Sequence, residues 1–362
     1  SQTRVHLFDL ASEVPRTRRD PDAWITLTGI TRHNLDHLDV RIPVGALTSV
    51  TGVSGSGKSS LISQALVELV SARMGREEDA TEEIDDDVLE PTGGELGELD
   101  GIDRLVVVDQ KPIGRTPRSN LATYTGLFDN VRKLFAATKL AKARKYDAGR
   151  FSFNVAKGRC ERCEGEGFVF VEMLFLPSVY APCPVCHGAR YNEKTLEVTY
   201  RDKSIADVLG LTVDAAFEFF SEEPAIHRSL DTVRQVGLGY LRLGQPATEL
   251  SGGEAQRIKL ATELQRSSRG KTLYVLDEPT TGLHPSDVSR LLAQLDALVT
   301  AGNTVVCVEH EMKVVAASDW VIDLGPGAGD KGGHIVAEGP PAHVAAAKQS
   351  KTASFLRAHL DR

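Results

Sequence analysis

A glycine-rich segment that follows a short apolar run is the feature that most constrains this chain. Residues 52–59 read Gly-Val-Ser-Gly-Ser-Gly-Lys-Ser, which fits the P-loop pattern, and the apolar run Leu47–Val50 precedes them. P-loop glycines let backbone N–H groups surround phosphates, while the lysine supplies a positive charge and the serine hydroxyl can ligate Mg²⁺. A helical pattern follows over Ser60–Met74. Strand, loop and helix in this order predict an α/β domain that binds a nucleotide. The residues expected at the phosphates and Mg²⁺ are Gly52, Ser54, Gly55, Gly57, Lys58, Ser59 and Ser60.

Further apolar runs extend this α/β pattern along the chain. Helical patterns over Gly253–Arg266 and Asp287–Thr300 alternate with them, which favours a buried and mostly parallel sheet. The predicted strands are Leu105–Val108, Leu273–Leu276, Val305–Val308 and Val321–Leu324.

Polar residues follow several of these predicted strands directly. Gln110 follows one strand, the pair Asp277 and Glu278 ends another, and Glu309 and His310 follow a third. Ligands of open α/β sheets bind outside the carboxyl ends of the strands, so we expect these side chains to converge near the P-loop. A carboxylate at such a strand end can hold Mg²⁺, and a neighbouring glutamate can orient or deprotonate the attacking water.

The segment Leu250-Ser-Gly-Gly-Glu254 opens one of the predicted helices. Ser251 and Glu254 have the spacing of a capping box, which is sufficient reason for their presence. A helix start with two glycines also presents N–H groups to an anion, so Ser251 and Gly253 are candidate phosphate contacts. Both interpretations can hold at once.

Charge is distributed unevenly in a chain of net charge -8. Residues 77–100 contain 12 acidic and no basic side chains, whereas residues 111–163 contain 13 basic and 3 acidic ones. The acidic, glycine-containing stretch 76–102 predicts a mobile loop. The basic stretch begins a region, 111–245, that interrupts the α/β pattern. We therefore predict an α/β domain formed by 1–110 and 246–362, with 111–245 inserted between its two parts.

Four of the five cysteines form two Cys-x-x-Cys pairs in the inserted region. Nineteen residues separate the pairs, a spacing typical of a tetrahedral four-cysteine Zn²⁺ site that stabilises a fold. Gly165 and Gly188 follow the pairs and would permit tight turns, while Cys307 lies in an apolar run and is expected to be buried. The predicted ligands are Cys160, Cys163, Cys183 and Cys186.

Basic side chains are dense around the first cysteine pair, with Phe151 and Phe153 between them. Contact with nucleic-acid phosphates would use this charge, and such binding would tolerate any sequence and depend on salt. A solvated basic surface that balances the acidic loop is the alternative. The candidate DNA contacts are Arg150, Lys157, Arg159 and Arg162.

Together these motifs resemble the ABC ATPase superfamily. Residues 251–254 resemble its signature motif, Asp277-Glu278 its Walker B motif with the catalytic glutamate, Gln110 its Q-loop residue and His310 its switch histidine. Longer strings are similar to the C-terminal half of the UvrA family, among them residues 109–120, 149–154, 171–177 and 250–264.

The resemblance implies that ATP is held between the P-loop of one module and the signature motif of an opposing one. It implies damaged double-stranded DNA as a ligand and, as the second module, either an N-terminal half or another copy in a dimer. In catalysis, the resemblance implies roles for Lys58, Gln110, Glu278 and His310. UvrB is an implied partner of the full-length protein. Such a protein is cytoplasmic and has no membrane partner, in agreement with the lack of any long apolar run.

Some strings depart from the UvrA pattern and leave alternatives open. UvrA proteins have proline where this chain has Leu121, and the residues after His310 and around His284 look more like UvrA paralogues. The first interpretation that the resemblance implies is an ATP-hydrolysing, DNA-binding module of a damage-recognition protein in bacterial nucleotide excision repair. Paralogues linked to tolerance of DNA-damaging drugs, without recruitment of UvrB, are the second interpretation. The ATPase subunit of a membrane transporter is a third, and a zinc scaffold with an inactive nucleotide site is a fourth.

Overall fold

The computed structural model describes residues 18–75, 92–172, 179–266 and 271–361. Its strands are β1 (Trp24–Arg32), β2 (Leu35–Pro43), β3 (Leu47–Gly52), β4 (Gly93–Leu96), β5 (Arg104–Val108), β6 (Phe168–Val171), β7 (Val179–Pro182), β8 (Thr199–Tyr200), β9 (Lys203–Ser204), β10 (Thr272–Asp277), β11 (Thr304–Val308), β12 (Trp320–Gly325) and β13 (His334–Gly339). Its helices are α1 (Ser60–Leu66), α2 (Val67–Arg73), α3 (Leu121–Tyr124), α4 (Leu127–Ala136), α5 (Lys139–Ala143), α6 (Glu193–Leu196), α7 (Ile205–Gly210), α8 (Val213–Phe219), α9 (Pro224–Gln235), α10 (Gly252–Gln265), α11 (Pro285–Thr300), α12 (Met312–Ala317), α13 (Pro341–Ala346) and α14 (Ala353–Leu360).

The chain divides into two compact units, one formed by residues 1–109 and 267–362 and the other by residues 110–266. The first unit contains a six-stranded sheet in the order β13-β12-β3-β11-β10-β5. Strands β12, β3, β11, β10 and β5 run parallel, and β13 pairs antiparallel with β12. A second, antiparallel sheet has the order β2-β1-β4.

The core of the first unit lies where helices α1 and α2 pack between the two sheets. Leu61, Ile62 and Leu66 of α1 share one apolar cluster with Ile25 of β1 and Val50 of β3. Burial of five such side chains contributes on the order of 10 kcal/mol before conformational entropy is subtracted. This packing fixes the helix that follows the P-loop, and therefore fixes the loop itself.

The second unit combines short helices with the four-cysteine region. Phe135, Phe151 and Tyr191 are fully buried in it, and the Tyr191 hydroxyl donates a hydrogen bond to the carbonyl oxygen of Phe151 at 2.7 Å. Strands β6 and β7 form an antiparallel hairpin. Helix α10 packs against α9.

The predicted strands and helices of the α/β part are all present, with ends shifted by one or two residues. Two expectations differ from what is observed. The second unit extends to residue 266 rather than 245, because α10 packs on α9. Residues 93–96 were predicted within a loop but form β4, which pairs with β1, while residues 76–91 of that loop lie outside the described residues.

Within the described residues, helices long and apolar enough to cross a bilayer are absent.

Candidate nucleotide site and metal centre

The P-loop connects β3 to α1, and three of its glycines have backbone conformations that side chains disfavour. Gly52, Gly55 and Gly57 have φ angles of 137°, 74° and 106°. A Cβ atom on Gly52 would lie 2.1 Å from the carbonyl oxygen of Leu324 in the neighbouring strand β12. On Gly57 it would lie 2.8 Å from a methyl carbon of Leu35. Glycine is therefore required here by close backbone approach as well as by φ.

Lys58 is almost fully buried at the centre of this loop. Its ammonium nitrogen donates hydrogen bonds to the carbonyl oxygens of Gly52 at 3.1 Å and of Val53 at 2.9 Å. Burial lowers the pKa of Lys58, while the carboxylates of Glu278 and Asp277 act to raise it. The Ser59 side chain, directly before α1, makes no cap hydrogen bond to this helix.

Asp277 and Glu278 lie at the carboxyl end of β10. Burial raises the pKa of Asp277, and repulsion from Glu278 adds to this effect, whereas Lys58 and His310 lower it. The opposing influences of Lys58 and the two carboxylates indicate that these groups share one electrostatic environment.

Glu278 also contacts His310, which follows β11. The distance between Glu278 Oε1 and His310 Nε2 is 3.2 Å, and both side chains are about half exposed. Glu278 has a φ of 46°, and its N–H donates to the carbonyl oxygen of Val308 at 2.9 Å. The first unit therefore brings Lys58, Asp277, Glu278 and His310 to one edge of its sheet.

Ser54, Ser59 and Ser60 lie in the first unit with the rest of the P-loop, whereas Gln110, Ser251 and Gly253 belong to the second unit. Ser251 Oγ accepts a hydrogen bond from the Glu254 N–H at 3.3 Å, and Glu254 Oε2 accepts from the Ser251 N–H at 2.8 Å, so the capping box is formed. Gln110 lies against the start of the same helix, since a Cβ on Gly252 would be 3.2 Å from the Gln110 Cβ. Gly253 lies in the first turn of α10.

The four predicted metal ligands form one compact cluster in the second unit. The sulfur atoms of Cys160, Cys163, Cys183 and Cys186 all lie within 4.8 Å of one another. The Cys160–Cys183 distance is 4.0 Å and the Cys163–Cys186 distance is 3.6 Å. A tetrahedral site with Zn–S bonds of about 2.3 Å requires S–S separations of about 3.8 Å. The cluster can therefore hold a tetrahedral metal ion with little movement.

Local structure supports this metal centre. Gly165 and Gly188 have φ angles of 86° and 89°, and the Gly167 N–H donates to the Cys163 sulfur at 3.3 Å.

Arg190 is 3% exposed and lies over the Phe153 ring, with its Cζ 5.0 Å from the ring centroid. Burial lowers the pKa of Arg190, while the nearby Tyr191 and Cys163 act to raise it.

The four candidate DNA contacts differ in their surroundings. Lys157 and Arg162 are exposed. Arg150 instead donates to the hydroxyl of Thr195 at 2.9 Å and to the side-chain oxygen of Asn192 at 3.1 Å, and Arg159 pairs with Glu164 at 3.0 Å.

The phenylalanines of the basic stretch, Phe151 and Phe153, are buried core residues. Stacking against bases is therefore not available to them.

Comparison with known proteins gave results at the level of sequence and of structure. The search of family models found no match. The chain is 55% identical to UvrABC system protein A of Streptomyces avermitilis over an alignment of 346 residues, which includes 96% of this chain. It is 54% identical to the protein of the same name from Mycobacterium bovis. The crystal structure of UvrA2 from Deinococcus radiodurans matches 99% of the chain with a TM-score of 0.89 and 67% identity.

The chain is homologous to part of UvrA.

It spans about a third of the length of the relatives just named and 42% of the UvrA2 chain. Homology to UvrA over nearly the whole chain confirms the resemblance drawn from the motifs, and it is consistent with a C-terminal half. The predicted α/β fold with an inserted four-cysteine region is confirmed as well.

In this UvrA homologue, several residues that sequence reasoning missed hold the P-loop in place. The Asn34 side chain donates to the carbonyl oxygens of Gly55 and Gly329, each at 3.3 Å, and the N–H of Gly333 donates to the carbonyl oxygen of Ser56 at 2.9 Å. A run of glycines over 325–333 was a possible signal for such a close approach. Nothing in the surroundings of Asn34 in the sequence indicated its role.

Tyr240 was also missed at the start of α10. Its hydroxyl donates to Glu254 Oε1 at 2.7 Å. Burial acts to raise the pKa of Glu254, but hydrogen bonds from Tyr240 and Ser251 outweigh it and lower the pKa overall. Glu254 is therefore held as a carboxylate by three donors from two segments.

Proposed function

We propose that this chain is the ATP-hydrolysing, DNA-binding module of a UvrA-type damage-recognition protein that acts in bacterial nucleotide excision repair. The observation that carries the proposal is the convergence of Lys58, Asp277, Glu278 and His310 at one sheet edge, in a chain homologous to UvrA. The protein is cytoplasmic under this proposal.

Each residue of this edge has a distinct task in ATP hydrolysis. The N–H groups of Gly55, Gly57 and α1 surround the phosphates, and Lys58 neutralises their charge. Asp277 and the Ser59 hydroxyl would hold the Mg²⁺ that accompanies ATP. Glu278 takes the proton of the attacking water, while His310 holds the Glu278 carboxylate and contacts the terminal phosphate.

The second unit contributes to the same reaction in an opposing module. Ser251 and Gly253 contact the phosphates of ATP bound to the other P-loop, so hydrolysis requires a partner module. The partner is either an N-terminal half or a second copy of this chain in a dimer. Gln110, which lies against Gly252, links its own nucleotide to the helix that serves the other. UvrB is a partner of the full-length protein.

Replacement of Glu278 by glutamine tests the catalytic assignment. Glutamine keeps the shape but cannot accept the proton, so E278Q should reduce kcat by about 10³-fold or more while Mg-ATP still binds. Glu98→Gln is the matched control, because Glu98 is an exposed glutamate of the first unit. Steady-state hydrolysis and a fluorescent-nucleotide titration measure both effects. Normal turnover by E278Q would show that Glu278 is not the general base.

The second unit binds Zn²⁺ at its four cysteines under this proposal. The four cysteines would hold the ion and so join the two Cys-x-x-Cys turns, and the ion would supply stability rather than chemistry. We expect elemental analysis to find one zinc per chain, which Cys307→Ala retains and Cys163→Ser loses. The Cys163→Ser variant should also lose about 2 kcal/mol of folding stability, which corresponds to a fall in Tm of several degrees. Full zinc content in C163S would contradict the assignment.

Double-stranded DNA binds next to this zinc region. Of the four candidate contacts, Lys157 and Arg162 are the exposed ones, so phosphate contact rests on them more than on Arg150 and Arg159. The double variant K157E/R162E should weaken binding to damaged duplex and lower the slope of log affinity against log salt by about two. The control is K348E/K351E, which reverses two exposed charges in the first unit. Equal loss in both variants would show a general charge effect and contradict the assignment.

A UvrA paralogue that gives tolerance to DNA-damaging drugs without UvrB is the second candidate. One observation favours it, namely that identity to UvrA2 of Deinococcus radiodurans is 67% against 55% to UvrABC system protein A of Streptomyces avermitilis. A pull-down of UvrB by the full-length protein separates the two, since capture supports the excision-repair protein and absence of capture supports the paralogue.

A further inference from the structure

Glu309 is a nearly fully buried carboxylate at the end of β11, between the residues already assigned to the nucleotide site. It is 1% exposed. An isolated buried carboxylate costs several kcal/mol, so its retention requires specific partners. The sequence placed Glu309 at a strand end without giving it a task.

The partners of Glu309 come from two separate segments. From the loop after β10, Thr280 donates its N–H to Glu309 Oε1 at 3.1 Å and its hydroxyl to Oε2 at 2.9 Å. From the segment after β11, the N–H groups of His310 and Glu311 donate to Oε2 at 3.0 and 3.3 Å. The Glu309 N–H itself donates to the carbonyl oxygen of Val50, which precedes the P-loop.

All four groups that face the Glu309 carboxylate are donors, and an ionised carboxylate is an acceptor without any proton to donate. Burial raises the pKa of Glu309, and these hydrogen bonds act in the opposite direction. An amide in the same place would turn an NH₂ group toward one of the donors. The position therefore calls for a carboxylate and not only for a polar side chain of this size.

The two segments that Glu309 joins carry the two groups that contact each other at the nucleotide site. Glu278 lies two residues before Thr280 and has a φ of 46°, a conformation that costs about 1 kcal/mol or more and persists only where the surroundings hold it. His310 directly follows Glu309. The 3.2 Å contact between Glu278 and His310 thus joins the same two segments that the buried carboxylate joins.

We propose that Glu309 is a positioning residue of the ATPase site, which holds the Glu278 loop and the His310 segment in the arrangement that hydrolysis requires. The inference rests on the proposed function, because it assigns Glu309 to that same reaction. Glu309 acts through Glu278 and His310 and does not itself touch the nucleotide. Its loss should therefore reduce turnover far more than nucleotide binding.

Two variants test this with different risks to folding. Glu309→Gln preserves size but mismatches one donor, and Thr280→Val removes a single hydroxyl from the same network. Both should lower kcat by about tenfold or more while KM for Mg-ATP stays within about twofold. Thr280→Ser keeps the hydroxyl and should restore kcat. Glu98→Gln, which removes an exposed charge elsewhere in the first unit, should match the unchanged chain.

Combination with His310→Ala distinguishes positioning from a separate structural role. If Glu309 acts through His310, E309Q should matter less once His310 is gone. The ratio of kcat between H310A and E309Q/H310A should therefore be clearly smaller than the ratio between the unchanged chain and E309Q. A full multiplication of the two effects would overturn the proposal. So would unchanged kcat in T280V, or a parallel loss of Mg-ATP binding and Tm in both variants.

The outcome for the unchanged chain separates this inference from the proposed function. If that chain does not hydrolyse ATP at any protein concentration, either alone or with an N-terminal half of a UvrA-type protein added, the proposed function fails and the role of Glu309 fails with it. If it hydrolyses ATP and both E309Q and T280V hydrolyse it equally fast, only the role of Glu309 fails.

Discussion

Two helices in this chain begin at glycine-rich segments, and their first turns are built in opposite ways. At α1 the Ser59 side chain makes no cap hydrogen bond, and the preceding glycines have φ angles that residues with a Cβ rarely adopt. At α10 the start is closed by its own side chains, since Ser251 and Glu254 form a reciprocal capping box and Tyr240 adds a third hydrogen bond.

The difference predicts that an anion would meet the two helix starts in different ways. At α1 the Ser59 side chain makes no cap hydrogen bond, so under the proposed function a phosphate would meet the N–H groups at this helix start directly. At α10 the Ser251 hydroxyl already accepts a bond from the third residue of the helix. An anion there must use the remaining N–H groups, including that of Gly253, or displace the serine.

Loss of backbone freedom at the open helix start should have the largest effect. Gly52→Ala places a methyl group 2.1 Å from the carbonyl oxygen of Leu324, so the loop must move and Mg-ATP affinity should fall by about 100-fold or more. Gly45→Ala is the matched control, because Gly45 has a φ of 68° but open space around its Cβ position, and it should cost only about 1 kcal/mol of stability with unchanged affinity. Equal losses of Mg-ATP affinity in the two variants would contradict the requirement for glycine at position 52 of the P-loop.

Loss of the carboxylate at the closed helix start should have a smaller effect that depends on pH. The pKa of Glu254 is lower in the folded chain than its ordinary value of 4.5, so its contribution to stability is present above that pH and is lost as pH falls through the folded pKa. Glu254→Gln should cost about 1 kcal/mol at neutral pH, and the difference from the unchanged chain should shrink below about pH 4.

Urea unfolding at several pH values measures this difference. Glu249→Gln, a change at an exposed glutamate of the same unit, is the control and should stay within about 0.5 kcal/mol of the unchanged chain. A difference for E254Q that does not vary with pH would mean that the capping box is not held by charge.

The sequence was sufficient for those parts of the site that depend on local patterns. The P-loop, the capping box and the cysteine pairs each lie within a few residues, and parallel strands bring their carboxyl ends to one edge, so Asp277, Glu278 and His310 could be predicted together. The contact of His310 with Glu278 follows from the pairing of β10 with β11.

The features that the sequence did not predict depend on contacts between distant segments. Asn34 reaches Gly329, and the buried Glu309 takes its partners from a loop that precedes it by about thirty residues. The basic stretch was misleading in another way, because residue type did not distinguish the exposed Lys157 from Arg150, whose guanidinium is bound inside the second unit. Phe151 and Phe153 are buried because they pack in the core of the second unit. Their positions between basic residues along the chain gave no indication of this burial.

The most direct test of the central assignment is a crystal structure of this chain with Mg²⁺ and a non-hydrolysable ATP analogue. We predict that the β- and γ-phosphates lie within about 3 Å of the Lys58 ammonium, with Mg²⁺ between them and the Asp277 carboxylate and with Glu278 facing the terminal phosphorus. A nucleotide whose phosphates contact neither Lys58 nor Asp277 would contradict the account.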